Sequence, residues 1–358
     1  MAQNNILMGF VFALGTLGIS LLSIFLGRLS RTYGKNKLIV AGSLLGIVYP
    51  LVYATSANIF QYMGGKLIFA FAGAAMGPLL MAYLQDSLSA SREQGKLIGY
   101  LYSMQSIAGG LGAIIGGFLA DKYFLAAPYY LQSVVLFLPF VLALVFLKGK
   151  EKINGIKTRK SDYFFGLRYI LSRPYLLYHF ILEFPFKMNW AAKVILYPLI
   201  VVSFIDSNTI TGSIFASQGF VAMIVLLFAG TFVDKKSYLV GMNTAFLVLA
   251  VASLLMAFSN NLFLFWIFAA LFAVGEAISG PAKGVLEIKN IEDDCRAEVI
   301  AVITTFGYLV ESMSPLFAGL LLSFLPARTV LLAYSFLIWI SLFIANSALR
   351  RQNQGGNQ

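Results

Sequence analysis

The stretch "GRLSRTYGKNK", Gly27 to Lys37, puts four basic residues between two apolar runs, roughly 4–26 and 38–56. Each run is close to the length that crosses a hydrocarbon core of about 30 Å as a helix. Outward from this turn the alternation continues. Further runs fall near 60–84, 97–120, 127–147, 175–204, 212–233, 238–258, 262–285, 298–322 and 327–348, which makes eleven. Of the 358 residues, 59% are hydrophobic and 11% charged. Soluble domains carry about 45–50% apolar and about 25% charged residues, so an ordinary soluble core is excluded. The period-two alternation of a lipid-facing barrel is missing. The runs therefore predict helices, whose backbone groups satisfy one another inside lipid. The first 26 residues lack the basic opening of a cleaved signal.

A net charge of +11 raises the question of nucleic acid. The placement of the charge answers it. Of 26 Lys and Arg, all but six lie in 27–37, 86–96, 148–173, 234–237, 286–296 and the tail at Arg350 and Arg351, which are alternate loops on one side. Lys122 and Arg328 lie on the other side, and Lys66, Lys187, Lys193 and Lys283 lie within runs. Such asymmetry places the rich side in the cytoplasm. That predicts a multi-pass protein of the plasma membrane with a cytoplasmic C-terminus and basic loops suited to anionic lipids. It excludes nucleic acid as the reason for the charge. One cysteine, Cys295, and one histidine, His179, leave no donor set for a cysteine, zinc or haem site, so neither metal nor cofactor is expected.

The stretch 148–173 holds eight basic and two acidic residues and reads as a linker between two halves. Its later part, with Phe164, Phe165, Leu167, Ile170 and Leu171, suits either a solvated connector or a short amphipathic helix on the membrane. The halves echo each other at a shift near 203. Gly77-Pro78 matches Gly280-Pro281, Gly27 matches Gly230, and Arg31 falls on Asp234. Parallel repeats of this kind mark transporters in which two bundles rock about a shared site. The expected units are 1–147 with five spans, the basic linker 148–174, 175–349 with six spans, and the tail 350–358. Shifted back by 203, the sixth run lands before Met1, so the repeat predicts one more helix ahead of this start.

The opening stretch resembles the motif Gly-x-Leu-x-Asp-Arg-x-Gly-Arg-Arg between the second and third helices of the major facilitator superfamily. Gly27, Leu29, Gly34 and Lys35 fit it; Arg31 stands where the family has Asp, and Thr32 where it has Arg. The second copy keeps Gly230, Asp234 and Lys235 but has Ser237 for the second glycine. The resemblance implies a cytoplasmic gate at Gly27, Arg31, Gly34, Asp86, Gly230, Asp234 and Lys235, with glycines turning the chain and fixed charges latching two bundles. Lys66 falls where the family often has a basic residue in its fourth helix, Asp86 on a common acid at that helix's end, and "GKLIGY" at Gly95 fits the following loop. "GGLGAIIGG", Gly109 to Gly117, resembles the glycine motif of the family's drug–proton antiporters, with Ala113 in place of its proline. The same glycines suit close helix packing, and both readings stay open.

Charged residues inside a span are turned inward, paired or functional. Glu276 and Glu311 lie mid-span and are candidate carriers of a coupling proton. Lys283 and Glu287, one turn apart, read as a local pair. The sixth run is the most polar. At 100° per residue, His179, Glu183, Phe186, Lys187, Asn189, Trp190 and Lys193 occupy an arc of about 160°. Glu183 and Lys187 are spaced to neutralise each other. That leaves Lys193, and Lys66 facing it from the other half, as cations suited to an anionic solute. Lys66, Glu183, Lys187, Asn189, Trp190 and Lys193 are therefore the expected solute path.

These readings predict an all-α integral membrane protein of eleven spans in two pseudo-symmetric bundles. Its expected function is a secondary transporter that moves a small organic solute by alternating access, not an enzyme. Two other readings stay open: a drug–proton antiporter of the same family, and a non-transporting membrane sensor or scaffold left by loss of the first helix.

Overall fold

The computed structural model describes residues 2–80, 83, 94–147, 165–292 and 296–355; at Gly27, Arg31, Trp190 and several other helical positions it describes the backbone only. The described residues form twelve helices. In the first half these are α1 (Ala2–Tyr33), α2 (Lys35–Thr55), α3 (Ile59–Ala74, continued by a π turn Ala75–Leu79), α4 (Gln94–Lys122) and α5 (Ala127–Phe146). The second half has α6 (Phe165–Ser172), α7 (Pro174–Val202), α8 (Asn208–Lys236), α9 (Tyr238–Ala257), α10 (Leu262–Asn290), α11 (Arg296–Leu322) and α12 (Ala327–Gly355). Eleven are long and α6 has 8 residues. Ten of the long helices are apolar enough to cross a membrane. The other is α7, as long as its neighbours but interrupted by Glu183, Lys187 and Lys193.

Local chemistry marks the helix starts. Asn58 accepts from the Gln61 amide at 2.9 Å at the head of α3, and Asn261 from the Leu264 amide at 2.9 Å at the head of α10. Both are N-caps, satisfying amides with no partner inside the helix, and they stand 203 residues apart. Another 203-residue pair sets the basic turns. Gly34, with φ 84°, heads α2, and Ser237, with φ 128°, heads α9. The expected turn over Gly27–Lys37 is therefore much shorter. α1 stays helical through Gly27 and Arg31 to Tyr33, and a single left-handed residue reverses the chain. Basic side chains do not break a helix; a residue outside the right-handed region does. Pro78 sits inside the π turn, which absorbs its missing amide.

Within each half the packing repeats. α1 packs on α3, α2 on α3 and α2 on α5; their counterparts α8 on α10, α9 on α10 and α9 on α12 do the same. Between the halves, α1 meets α11 and α4 meets α8. Exchanging each helix for its repeat partner turns one of these contacts into the other, as a two-fold relation requires. The α4–α8 crossing is close because it is made of small residues. A Cβ on Gly110 would press on the Ala216 carbonyl at 3.0 Å, and one on Gly219 on the Ser106 carbonyl at 2.6 Å. A Cβ on Gly117 or Gly212 would run into the backbone of Asn208 or Ala113. On the other crossing, Gly9 lies against the Pro315 backbone.

The largest apolar core lies wholly in the second half, while the first has two small clusters. The amphipathic helix foreseen in the linker exists as α6, and one of its faces packs on protein. Tyr169 and Ile170 are buried in that core, because α6 packs on α7 and α11.

Candidate functional site

α7 is the helix around which the second half is built; it touches α6, α8, α10, α11 and α12. The described side chains of its polar arc are buried or half-buried, which makes lone charge there costly. α10 runs antiparallel beside it, so the two charge sequences zip together. Glu183 accepts from Lys283 Nζ at 2.8 Å, and Lys193 Nζ donates to Glu276 at 2.7 Å. Between them, Lys187 Nζ donates to Glu311 on α11 at 3.1 Å. At one end His179 Nε2 lies 3.3 Å from Glu287 Oε1. His179 is 0% exposed and Glu183 3%. Asn189 Nδ2 donates to Ser253 on α9 at 3.0 Å, and the Ser314 hydroxyl of α11 donates to the Met188 carbonyl. Gly307 of α11 leaves room for the charges to cross: a Cβ there would meet Lys187 Cε at 3.3 Å and Glu183 Oε1 at 3.6 Å.

These pairings overturn two expectations. Glu183 does feel the Lys187 charge, as expected, while each also hydrogen-bonds to a different neighbour. Lys283 and Glu287 are not a local pair, because both turn toward α7. Lys193 is not a lone cation, since Glu276 holds it. In the same way Glu276 and Glu311 each carry a lysine. The physical reason is common to all. Side chains one turn apart on a buried helix share a face, and what stands opposite that face competes at shorter range. Paired in this way, the charges avoid the several kcal/mol per ion that burial alone costs.

Lys66 also departs from expectation. It is buried on α3, and its Nζ lies 4.8 Å from the Phe12 ring centroid, 5.4 Å from Tyr53, 5.5 Å from Tyr62 and 5.6 Å from Phe69. All four rings belong to the first half, so Lys66 is enclosed there and does not face α7. Among the described residues no carboxylate lies within ion-pair distance of it. Ring faces stand in for an anion. Tyr53 and Tyr62 also line a cavity of about 450 Å³ with Leu7, Met8, Val11 and Phe12.

The gate residues are in part outside the described structure: the side chain of Arg31 and all of Asp86, while Gly27 is described only as helical backbone. Gly34 makes the turn described above. Gly230 sits inside α8 with open space where a Cβ would be. Asp234 and Lys235 are exposed in the last turn of α8. Trp190 has a helical backbone, and its side chain lies outside the description.

The sequence reading missed Asp121. At the end of α4 it accepts from the Ser207 hydroxyl at 2.9 Å, the Asn208 amide at 3.0 Å, the Asn208 side chain at 2.9 Å and the Thr209 amide at 2.7 Å. A carboxylate of the first half thus caps α8 of the second. The only hint in the sequence was an acid placed just after a run of glycines.

The sequence model of the Major Facilitator Superfamily matches residues 3–205. An uncharacterised MFS-type transporter of Methanocaldococcus jannaschii is 22% identical over 311 residues, covering 85% of this chain and 79% of that protein. Quinolone resistance protein NorA of Staphylococcus aureus is 22% identical over 316 residues, covering 88% and 80%. Multidrug resistance protein 2 of Bacillus subtilis is 22% identical over 197 residues, covering 54% and 48%. The family match spans more than half the chain, and the helices follow a two-fold repeat. The chain is a multi-pass membrane transport protein, not an enzyme, and belongs to the Major Facilitator Superfamily.

Proposed function

We propose that the chain carries a small organic solute by alternating access, with the polar arc of α7 as its path. The observation behind this reading is the set of three ion pairs, each with one buried member, joining α7 to α10 and α11. A charged interior is expensive in lipid and is kept where a solute or ion must pass. Here each charge has a partner while the path is empty, and a polar solute can exchange with either member. The small-residue crossings of α1 on α11 and α4 on α8 give two surfaces about which the halves can rock. The turns at Gly34 and Ser237, with Asp234 and Lys235, form the gate on the basic side. We assign that side to the cytoplasm, with its lysines and arginines against anionic lipid.

Drug–proton antiport is the second reading, favoured by relatives named for multidrug and quinolone resistance. Lys193 no longer argues for an anionic solute; only Lys66 does. Flux into proteoliposomes tests the first reading: Lys193→Ala should weaken solute affinity in protein that still inserts. An imposed pH gradient tests the second. Glu276→Gln and Glu311→Gln should uncouple uptake from the gradient, and full coupling in both would remove these two carboxylates as carriers.

A further inference from the structure

The buried face shared by α7, α10 and α11 carries four carboxylates and three lysines among the described side chains. Glu183, Glu276 and Glu311 take Lys283, Lys193 and Lys187. Glu287 is left over, and its neighbour is the imidazole of His179 at 3.3 Å. That imidazole is wholly buried, and neither of its nitrogens makes a hydrogen bond. A buried polar ring without partners is costly, so its placement beside a surplus carboxylate requires a reason.

We propose that the His179–Glu287 pair is a proton-binding site that loads one proton from solvent. His179 and Glu183 are one turn apart on α7, and Lys283 and Glu287 one turn apart on α10, so the four form the corners of a square. With neutral His179 the square holds two carboxylates and one ammonium. With a proton on Nε2 it holds two of each sign, and the orphaned nitrogen becomes a donor to Glu287 Oε1. No other bond changes. Glu287 is 16% exposed, which gives the proton an entrance at the basic-loop end.

Among the other described charged side chains around these helices, Arg173 holds Glu292 at 2.6 Å. Lys289 of α10 lies over the Tyr238 ring at 5.8 Å, Arg328 of α12 over Phe204 at 4.6 Å, and Glu311 of α11 holds Lys187. Arg168 of α6, Asp234, Lys235 and Lys236 of α8, and Arg350 of α12 are exposed, and α9 carries no charge. A role for this proton in coupling rests on the transporter reading; the site itself does not.

His179 is the chain's one histidine, so histidine labelled with 15N reports a single imidazole in the full-length protein in liposomes. The 15N signals of the ring should respond to pH. Glu287→Gln should change that response, because the carboxylate 3.3 Å from the ring is gone. An unchanging ring, or the same titration in Glu287→Gln, overturns the site. Flux then tests the role. Uptake that keeps its pH dependence in both His179→Gln and Glu287→Gln overturns the coupling role. A titrating ring in a protein without flux supports the site and sinks the transporter reading instead.

Discussion

The two halves follow one plan, and they differ where α7 touches. Helices in equivalent places are similarly buried, with two exceptions. The spans of α4 and α5 are 6% and 11% buried, while those of their counterparts α11 and α12 are 44% and 39%. α11 and α12 are the two long helices that lean most on α7. Among the described helices of the first half nothing stands in α7's place. The polar interior differs in the same way. Every described ion pair with a buried member in the second half has one member on α7, while the one buried lysine among the described residues of the first half sits in a cage of rings. α7 is therefore both the keystone of packing and the supplier of charge, and removing its charges should act on both.

The largest effect expected is from breaking one of those pairs. Lys283→Ala removes the hydrogen-bonded partner of buried Glu183, and losing one partner of a buried pair costs about 3–5 kcal/mol. Yield and melting temperature of the purified protein should both fall. Lys66→Met makes the contrasting case. It gives up cation–ring attraction of about 0.5–2 kcal/mol, but also removes a buried charge with no acid beside it, so melting should barely move. Equal destabilisation by the two variants would break the comparison between the halves.

A double replacement sharpens the same point. Lys193→Met and Glu276→Met should each destabilise, while the two together should lie within roughly 1 kcal/mol of the starting protein, because an apolar pair of similar volume replaces a buried ion pair at little cost. Solute binding should not recover with stability. Recovery of both would make the pair structural and take it out of the path.

The two crossings between the halves also differ. Asp121 ties α4 to the start of α8 with four hydrogen bonds, whereas 203 residues on its counterpart is Phe324, which cannot do so. Asp121→Ala should leave each bundle folded and loosen their contact at that end. Cysteine labelling near Thr209 should rise, with melting nearly unchanged. No change in labelling would mean that the small-residue crossing alone holds that end closed.

Much of this was legible in the sequence, and the limits have a physical pattern. Eleven long helices could be read because lipid leaves the backbone few alternatives, and the repeat because Gly77-Pro78 and Gly280-Pro281, or Gly27 and Gly230, stand 203 residues apart. The partners on α7 could not be read. Lys193 and Glu276 are 83 residues apart, Glu183 and Lys283 100, and Lys187 and Glu311 124. Spacing along one helix exposes only neighbours one turn away, which is why Lys187 was visible beside Glu183 and its hydrogen-bonded partner Lys283 was not. Which of several acids a lysine finds depends on how helices are placed against one another. Lys66 went astray for the same reason: its four rings come from three helices.

The smallest expected effect concerns the turn pair itself. Gly34 and Ser237 hold equivalent places with positive φ, but only Gly34 lacks the Cβ that such a conformation crowds. A non-glycine residue there stores strain of about 1–3 kcal/mol. Ser237 recovers part of it by capping α9, its hydroxyl accepting from the Val240 amide at 3.3 Å. Replacing a serine cap by glycine costs only a few tenths of a kcal/mol, so Ser237→Gly should raise stability by about 1 kcal/mol net. The reciprocal change, Gly34→Ser, should lower it by a comparable amount. Melting of the two single variants and of the double exchange would show whether the halves share one turn geometry. If Ser237→Gly stabilises and Gly34→Ser does not destabilise, the two turns are not equivalent, and the strain in the second belongs to the gate of that half alone.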